Sequence, residues 1–300
     1  MEMIERVGIV TTGKDTYVPN IWFEGEPPVA IASARSSGTE VLLKCHSGLE
    51  EFEGEKRALE TVGGWPAVRL LDASKEDLVL VLEYHRGRDL RSSLVSGPLE
   101  AFCGLYLVGY VAGMMAELEA GGIYHGDIKP ANLLVPLHIQ AALEQGRLEQ
   151  RVVDEGLALC DFEHAWKVEA GRMVAFTERG GRIVGTPYYM SPETMRDAYG
   201  KRSDVYSLAL IAWQVFEERD LFEGTQNLTQ VLNRILLEFA PHPPQFTARL
   251  YGAEQVLQAA FSGEPERRPG SEEIVDLIAK ILKERARINL KEALASAKGR

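Results

Sequence analysis

Residues 1 to about 82 are rich in apolar runs of strand length. Residues 29–34 and 41–45 are two such runs, and the turn-like sequence of residues 36–39 separates them, which is typical of a β-hairpin. Residues 49–62 then carry apolar side chains at helical spacing, with Glu, Lys and Arg between them. Because the next four residues are Gly-Gly-Trp-Pro, this predicted helix ends at residue 62.

A long helix-length segment covers residues 99–120. It contains scattered small residues at Gly104, Gly109 and Gly113, and two more glycines follow it. Small residues let helix backbones approach closely, and a glycine pair favours a helix end. The segment is therefore expected to pack tightly against other helices.

The full set of elements predicts an α+β protein that is strand-rich up to residue 86 and helical after it, and we call these two parts the N-terminal and C-terminal lobes. Strands near residues 68–73 and 78–84 complete an N-terminal lobe of residues 1–86, an antiparallel sheet with one helix. The C-terminal lobe, residues 87–300, is predicted to be helical. Its other predicted helices cover residues 203–216, 228–239, 253–261 and 272–297. The first of these helices is apolar and predicted to be buried, and the last range is either one helix or a helix pair.

Two stretches of the C-terminal lobe have a different character. Residues 137–151 form a polar, helix-prone insert, which we interpret as a solvated helix, with partner binding as the alternative. Residues 161–193 form a long loop with Gly, Thr and Arg.

The charge and cysteine content narrow the class of partner. The chain has 300 residues, is 45% hydrophobic and 26% charged, and carries a formal net charge of −11. An acidic chain of this kind argues against nucleic acid or an anionic membrane surface as the main partner. Three cysteines without metal or disulfide spacing favour a reducing, cytoplasmic setting, and no apolar run predicts a membrane span. The oligomeric state stays open.

The chemistry is concentrated in His125-Gly126-Asp127-Ile128-Lys129-Pro130-Ala131-Asn132, followed about 30 residues later by Asp161-Phe162. Phosphoryl transfer needs an aligned hydroxyl, neutralised phosphates and metal ions held in place. Asp127 can accept a hydroxyl proton, and Lys129 can neutralise a phosphate. Asn132 and Asp161 offer the oxygen ligands that Mg²⁺ prefers.

These motifs, in this order and spacing, resemble the signature of eukaryotic-like Ser/Thr protein kinases. The resemblance extends over nearly the whole chain and implies the bilobal protein kinase-like fold, with an activation segment at residues 161–193 of the sequence. It also implies ATP and Mg²⁺ as cofactors and protein Ser or Thr hydroxyls as substrates. By resemblance, Lys44 is the ATP-phosphate lysine and Glu55 pairs with it. A second implied pair joins Glu193, at the end of the activation segment, to Arg268.

The resemblance also implies an adenine site. Leu82 would be the gatekeeper beside the hinge, and backbone groups of Glu83 and His85 would hydrogen-bond adenine. Asp89 would meet the ribose, or alternatively place a charge at a helix N-terminus. The apolar side chains expected to enclose the adenine ring are Ile31, Leu42 and Leu134.

The helix at residues 203–216 carries a further implied role. Its Asp204 would brace the loop around Asp127, as in protein kinases rather than small-molecule kinases. Lys129-Pro130 and Thr186 favour Ser/Thr over Tyr substrates.

The sequence departs from the family where a glycine-rich phosphate loop is expected. With Ile31 aligned to the family's valine, the three glycine positions hold Glu24, Glu26 and Val29. Carboxylates there repel phosphate, and the two prolines that follow Glu26 remove N–H donors. Residues 11–14, Thr-Thr-Gly-Lys, are an alternative cradle that lacks the full phosphate-loop pattern.

Two further departures concern regulation. Gly126 replaces the arginine that usually reads an activation-loop phosphate, so basal activity is expected not to depend on phosphorylation of Thr177, whereas Thr186 can be structural. Glu163 replaces the glycine after Asp161-Phe162 and would make a flip of that pair harder, unless it is a plain surface residue.

Three functions therefore compete. The first is a Mg·ATP-dependent Ser/Thr protein kinase, including possible autophosphorylation, with catalytic residues Lys44, Glu55, Asp127 and Lys129. The second is a pseudokinase that acts as a nucleotide-binding scaffold or allosteric partner, which the acidic loop favours. The third is a small-molecule kinase similar to choline kinases and aminoglycoside phosphotransferases, which share the Gly126 and Glu163 variants.

Overall fold

A computed structural model describes residues 8–23, 25, 27–94, 97–150, 156–167, 185–200, 202–217 and 220–299. Glu24, Glu26 and Thr177, and much of the predicted loop of residues 161–193, lie outside the described residues. The chain divides into two compact units. The first contains the residues up to Arg86 together with Cys160–Glu163, and the second contains Gly87–Leu159 and the residues from His164 onward.

The first unit is an antiparallel sheet with one helix. Its six strands lie in the order β1-β2-β3-β4-β6-β5. They are β1 (Val10–Thr11), β2 (Thr16–Phe23), β3 (Val29–Ala34), β4 (Glu40–Cys45), β5 (Leu70–Ser74) and β6 (Val79–Glu83). The helix α1 covers Leu49–Val62 and ends at Gly63, whose φ of 73° is left-handed, as its sequence predicts.

Alternation of side chains along the strands gives this sheet two different faces. Ala30, Ala32, Val41 and Leu43 point to a closed core, where they are almost fully buried. Ile31 lies opposite Leu42 on the other face. Strands β1 and β2 extend the sheet at one edge. The sequence pattern predicts no individual strand at these positions.

The second unit is mainly helical. Its helices are α2 (Leu90–Ser93), α3 (Ala101–Ala120), α4 (Leu137–Glu144), α5 (Ser203–Phe216), α6 (Leu228–Asn233), α7 (Ala253–Ala260), α8 (Ser271–Arg285) and α9 (Leu290–Lys298). A π-helical segment, Arg234–Phe239, continues α6. The short strands are β7 (Gly87–Asp89), β8 (Ile123–Tyr124), β9 (Leu133–Pro136), β10 (Ala158–Leu159) and β11 (Trp166–Lys167).

Helix α3 lies at the centre of this unit. A Cβ atom at Gly104 would come within 2.3 Å of Phe216, and one at Gly109 within 2.7 Å of Ile278. These close approaches confirm the predicted tight packing. Helix α3 is also long and apolar enough to cross a membrane by length and composition, but 78% of its apolar window is buried within the protein.

The insert after β9 differs from its predicted character. Ile139, Ala142 and Leu143 of α4 are buried, so one face of this helix belongs to the core of the second unit. The interpretation as a solvated helix is therefore wrong for that face. Residues 137–151 are polar on average, but Ile139, Ala142 and Leu143 form an apolar stripe at helical spacing.

Candidate active site

Lys44 lies between two carboxylates of the first unit. Its Nζ atom is 2.8 Å from Oε2 of Glu55 and 2.6 Å from Oδ1 of Asp161. The expected ion pair between β4 and α1 is therefore present. Burial alone would lower the pKa of Lys44, but the two carboxylates outweigh burial and raise that pKa. The ammonium stays charged and fixed in place.

The Glu55 carboxylate has two further donors that the sequence did not indicate. The backbone N–H of Phe162 donates to its Oε1 at 3.1 Å, and the Nε2 atom of His46 lies 2.7 Å from its Oε2. Burial would raise the pKa of Glu55, but the bond from His46 and the charge of Lys44 lower it. Glu55 is thus a buried, ionised anchor for Lys44.

Asp161 adopts a left-handed backbone conformation, with φ of 68°. A non-glycine residue pays about 1–2 kcal/mol for this conformation. The 2.6 Å bond to Lys44 helps to hold it there. Such local strain at a polar site is typical of functional residues.

One face of the sheet carries the residues predicted to meet a nucleotide. Ile31 lies opposite Leu42, and Val29 lies opposite Lys44, so these four side chains share that face. Phe23 pairs with Val29 and is 45% exposed on the same face. The sequence pattern does not indicate Phe23, and its position on this face follows from its pairing with Val29.

Glu83 and His85 lie at the end of β6 and just beyond it. The backbone N–H of Glu83 donates to the Arg69 carbonyl at 2.9 Å, so any bond from Glu83 to adenine can involve only its carbonyl. His85 is half-buried, and burial lowers its pKa.

The alternative phosphate cradle at residues 11–14 is a structural turn. The Thr12 hydroxyl bonds the Asp72 carboxylate and also accepts from the backbone N–H of Lys14. The Lys14 ammonium donates to the Leu71 carbonyl at 2.8 Å. These polar groups therefore join the turn between β1 and β2 to β5, the strand at the other edge of the sheet, and this alternative is not supported.

Three donors converge on the carboxylate of Asp127. Its Oδ1 accepts from the backbone N–H of Thr186 at 2.8 Å, and its Oδ2 accepts from the Lys129 ammonium. The Asn132 amide donates to the Asp127 carbonyl at 2.9 Å and lies 3.3 Å from Oδ2. The Lys129 ammonium also donates to the Thr186 hydroxyl at 2.8 Å. The three predicted residues of this motif therefore lie together.

Asp204 braces the loop that carries Asp127, as expected. Its carboxylate accepts from the backbone N–H groups of His125 at 3.0 Å and Gly126 at 3.3 Å. Burial raises the pKa of Asp204, although these bonds oppose that effect. Gly126 itself has φ of 80°, and a Cβ atom there would lie 2.7 Å from the His164 carbonyl oxygen. A side chain at this position would strain the loop.

The predicted pair of Glu193 and Arg268 is confirmed. Arg268 donates to both oxygens of Glu193, at 2.6 and 2.7 Å, and both side chains are buried. Ser203 also donates to Glu193 at 2.8 Å. A bidentate bond of this kind fixes the end of the activation segment to the helical unit.

The structure shows a capping role for Asp89. Its carboxylate accepts from the backbone N–H of Ser92 at 2.9 Å and so caps α2. The helix-terminus alternative is the contact observed, whereas the ribose contact stays a prediction. Leu134 lies in β9, opposite Asp89, and is half-buried.

The cysteines of the two units behave as core residues where they are buried. Burial raises the pKa of the Cys45 thiol to about 11 and that of Cys103 to about 12. A thiol with so high a pKa is a poor nucleophile, which argues against a redox role for Cys45 beside Lys44.

The sequence is also similar to the sequences of known proteins. The chain matches the protein kinase domain over residues 45–297. It is 31% identical over 186 residues to the serine/threonine-protein kinase pkn2 of Myxococcus xanthus, which covers 61% of this chain and 21% of that protein. It is 29% identical over 227 residues to Pkn1 of the same organism, covering 74% and 30%, and 27% identical over 234 residues to PknL of Mycobacterium bovis, covering 76% and 52%.

The chain therefore belongs to the protein kinase domain family, and the predicted family and fold class are confirmed. The chain spans between about a fifth and a half of the length of these three relatives. The family match begins one residue after Lys44, so the assignment of Lys44 rests on its contacts with Glu55 and Asp161.

Proposed function

We propose that this chain is a Mg·ATP-dependent protein kinase that phosphorylates Ser or Thr hydroxyls of proteins. The observation that carries the proposal is the arrangement around Asp127. Its carboxylate is held by Lys129, by the Thr186 backbone and by Asn132, which all belong to the second unit. The three donors orient a carboxylate that can accept the proton of an incoming hydroxyl.

Lys129 takes a second role in this proposal. Its ammonium lies between the Asp127 carboxylate and the Thr186 hydroxyl. Positive charge beside the acceptor oxygen would stabilise the negative charge that develops during transfer. When bound, Mg·ATP supplies the phosphoryl group and the metal charge that neutralises it.

The first unit provides the groups that fit a nucleotide phosphate. The Lys44 ammonium is buried, charged and held by Glu55 and Asp161, so its positive charge can neutralise phosphate oxygens. Ile31 and Leu42 offer an apolar face for adenine beside it. Leu134, the carbonyl of Glu83, His85 and Asp89 are the further nucleotide contacts that we propose.

The metal ligands that we propose are Asn132 and Asp161. Both offer hard oxygen atoms, which suit Mg²⁺. Within the described part of the chain, no group of three or more His, Cys, Asp or Glu side chains could hold a metal ion by itself. That agrees with Mg²⁺, which is usually bound by one or two protein side chains together with substrate phosphates.

The class of acceptor is supported by the relatives and by Thr186. The three relatives reported above are all named serine/threonine-protein kinases. The Thr186 hydroxyl contacts Lys129 in the position that we predicted to favour Ser/Thr substrates. Its protein partners are thus substrates with a Ser or Thr residue, and autophosphorylation is included. The three free cysteines support a reducing, cytoplasmic setting for this activity.

A nucleotide-binding scaffold is the second candidate. Pro27 and Pro28, with the acidic residues before them, replace the glycine-rich sequence expected at the tip between β2 and β3. That feature weakens phosphate binding by the backbone. It leaves Lys44, Asp127 and their partners in place, so turnover decides between the two candidates.

The test is phosphate transfer from γ-labelled ATP with Mg²⁺, followed by identification of the labelled amino acid. Wild-type protein is compared with Asp127→Ala. The phosphate acceptors are the protein itself, a generic protein substrate and a set of small alcohols. Label on Ser or Thr that disappears in the variant supports the proposal. Nucleotide binding without any transfer indicates the scaffold, and label on small alcohols alone indicates a small-molecule kinase.

A further inference from the structure

His46 is a buried polar residue in a position where the kinase resemblance implies no role. It follows β4 directly and lies two residues after Lys44. Its ring is about 1% exposed and meets the ring of Phe52 edge-on, with centroids 5.8 Å apart. Burial of an imidazole is costly unless its nitrogens have hydrogen-bond partners.

Both ring nitrogens of His46 face acceptors. Nε2 lies 2.7 Å from Oε2 of Glu55, and Nδ1 lies 3.4 Å from the carbonyl of Leu78. An ionised carboxylate can only accept, so the proton of this short bond is on Nε2. The backbone N–H of His46 also donates to Leu78, at 2.9 Å, which fixes the residue from its other side.

The Glu55 carboxylate connects this histidine to the charged cluster. Oε1 faces Lys44 at 2.9 Å and the Phe162 N–H at 3.1 Å, while Oε2 faces Lys44 at 2.8 Å and His46 at 2.7 Å. Without His46, Oε2 would keep only its contact with Lys44. The carboxylate could then rotate, and the position of the Lys44 ammonium would be set mainly by its contact with Asp161.

We propose that His46 is a positioning residue for phosphoryl transfer, because its Nε2–H holds the Glu55 carboxylate in the orientation that fixes Lys44. His46 touches neither substrate nor reacting atoms and acts through Glu55. The inference deepens the proposed kinase function and rests on it. The contacts themselves belong wholly to the first unit.

The test compares His46→Leu, which has no donor, with His46→Gln, whose amide nitrogen matches the position of Nε2. In His46→Leu, we expect the KM for ATP to rise about tenfold, the scale of one hydrogen bond to a charged group, with kcat changed less. His46→Gln should stay within about threefold of wild type. If His46→Leu does not fold, His46→Asn replaces it, since a shorter amide reaches Leu78 but not Glu55.

A second readout needs no nucleotide. Hydrogen exchange of the Phe162 amide reports whether Glu55 still accepts from it. We expect faster exchange in His46→Leu and wild-type exchange in His46→Gln. Leu59→Ala is the control, because Leu59 is buried on the same helix one turn from Glu55 and should lower thermal stability without changing the KM for ATP.

Two results would overturn the inference. One is a wild-type KM and wild-type Phe162 exchange in His46→Leu, and the other is a loss in His46→Gln as large as in His46→Leu. A wild-type protein that transfers no phosphate would refute the proposed function instead, and exchange and ATP affinity would still decide the role of His46.

Discussion

The backbone N–H of Thr186 donates to the Asp127 carboxylate at 2.8 Å, although 59 residues separate the two along the chain. The Thr186 hydroxyl also accepts from Lys129 at 2.8 Å. The end of the activation segment is thus bonded directly to the proposed proton acceptor. Thr186 consequently has a role that does not require its phosphorylation.

Variants of Thr186 should show whether activity depends on the contact of its hydroxyl with Lys129. Thr186→Ala removes the hydroxyl that accepts from Lys129, so we expect kcat to fall about tenfold, whereas Thr186→Ser should keep most activity.

Thr177→Ala should leave the basal rate unchanged, because Gly126 occupies the position of the arginine that binds the activation-loop phosphate in the family. Initial rates of the three variants provide the measurement. Loss of activity in Thr177→Ala that Thr177→Asp restores would contradict this prediction.

A side chain should be tolerated less well at Gly126 than at Gly224, although the φ angles of these two glycines are nearly equal. Gly224 has φ of 79° with nothing near its Cβ position, whereas a Cβ at Gly126, with φ of 80°, meets the His164 carbonyl oxygen. We expect Gly224→Ala to cost about 1 kcal/mol and Gly126→Ala about 3 kcal/mol of unfolding free energy. Urea denaturation measures both values. Equal costs would show that the His164 contact does not restrict this position.

The buried pair of Glu193 and Arg268 should matter more for stability than an exposed pair beside it. Arg268→Leu leaves a buried carboxylate with its main charge partner removed, and we expect a loss of about 3–5 kcal/mol. Arg267 pairs with Glu264 at 2.7 Å, but both side chains are more than 60% exposed. Arg267→Leu should therefore cost less than about 1 kcal/mol. Denaturation midpoints that fall equally would contradict this account.

The charge of Glu55 should stabilise the protein at neutral pH more than at acidic pH. Its pKa in the folded protein lies below the ordinary value of 4.5. The contribution is therefore complete above that value and is lost as the pH falls through the lower folded pKa. We expect the stability difference between wild type and Glu55→Gln to be largest near pH 7 and to shrink below about pH 4. A difference that grows on acidification would contradict the ionised state of Glu55.

The sequence predicted the elements with strong periodicity and clear ends. Helix α1 begins and ends at the predicted residues 49 and 62, and α5 covers the predicted residues 203–216. The C-terminal helix pair, α8 and α9, was one of two open alternatives for residues 272–297. Arg287, with φ of 57°, lies at the break. No glycine or proline marks that break, and the local signal is instead Asn289, whose side chain caps α9 by accepting from the backbone N–H of Glu292.

The site was predictable as motifs but not as a network. The pairs Lys44–Glu55 and Glu193–Arg268 followed from the resemblance, and the structure contains both. His46 was not identified, because a lone histidine after a strand carries no spacing signal. Its role depends on α1 bringing Glu55 to it, which is a tertiary contact rather than a local pattern.

The most direct test of the central claim compares wild type with Asp127→Asn in single-turnover phosphate transfer, with nucleotide affinity measured on both proteins. We predict a rate at least about a hundredfold lower in Asp127→Asn, the scale of a lost proton acceptor, with the Kd for Mg·ATP nearly unchanged. Equal transfer rates would contradict the role of Asp127. Wild-type protein that binds Mg·ATP and transfers nothing would contradict the kinase function itself.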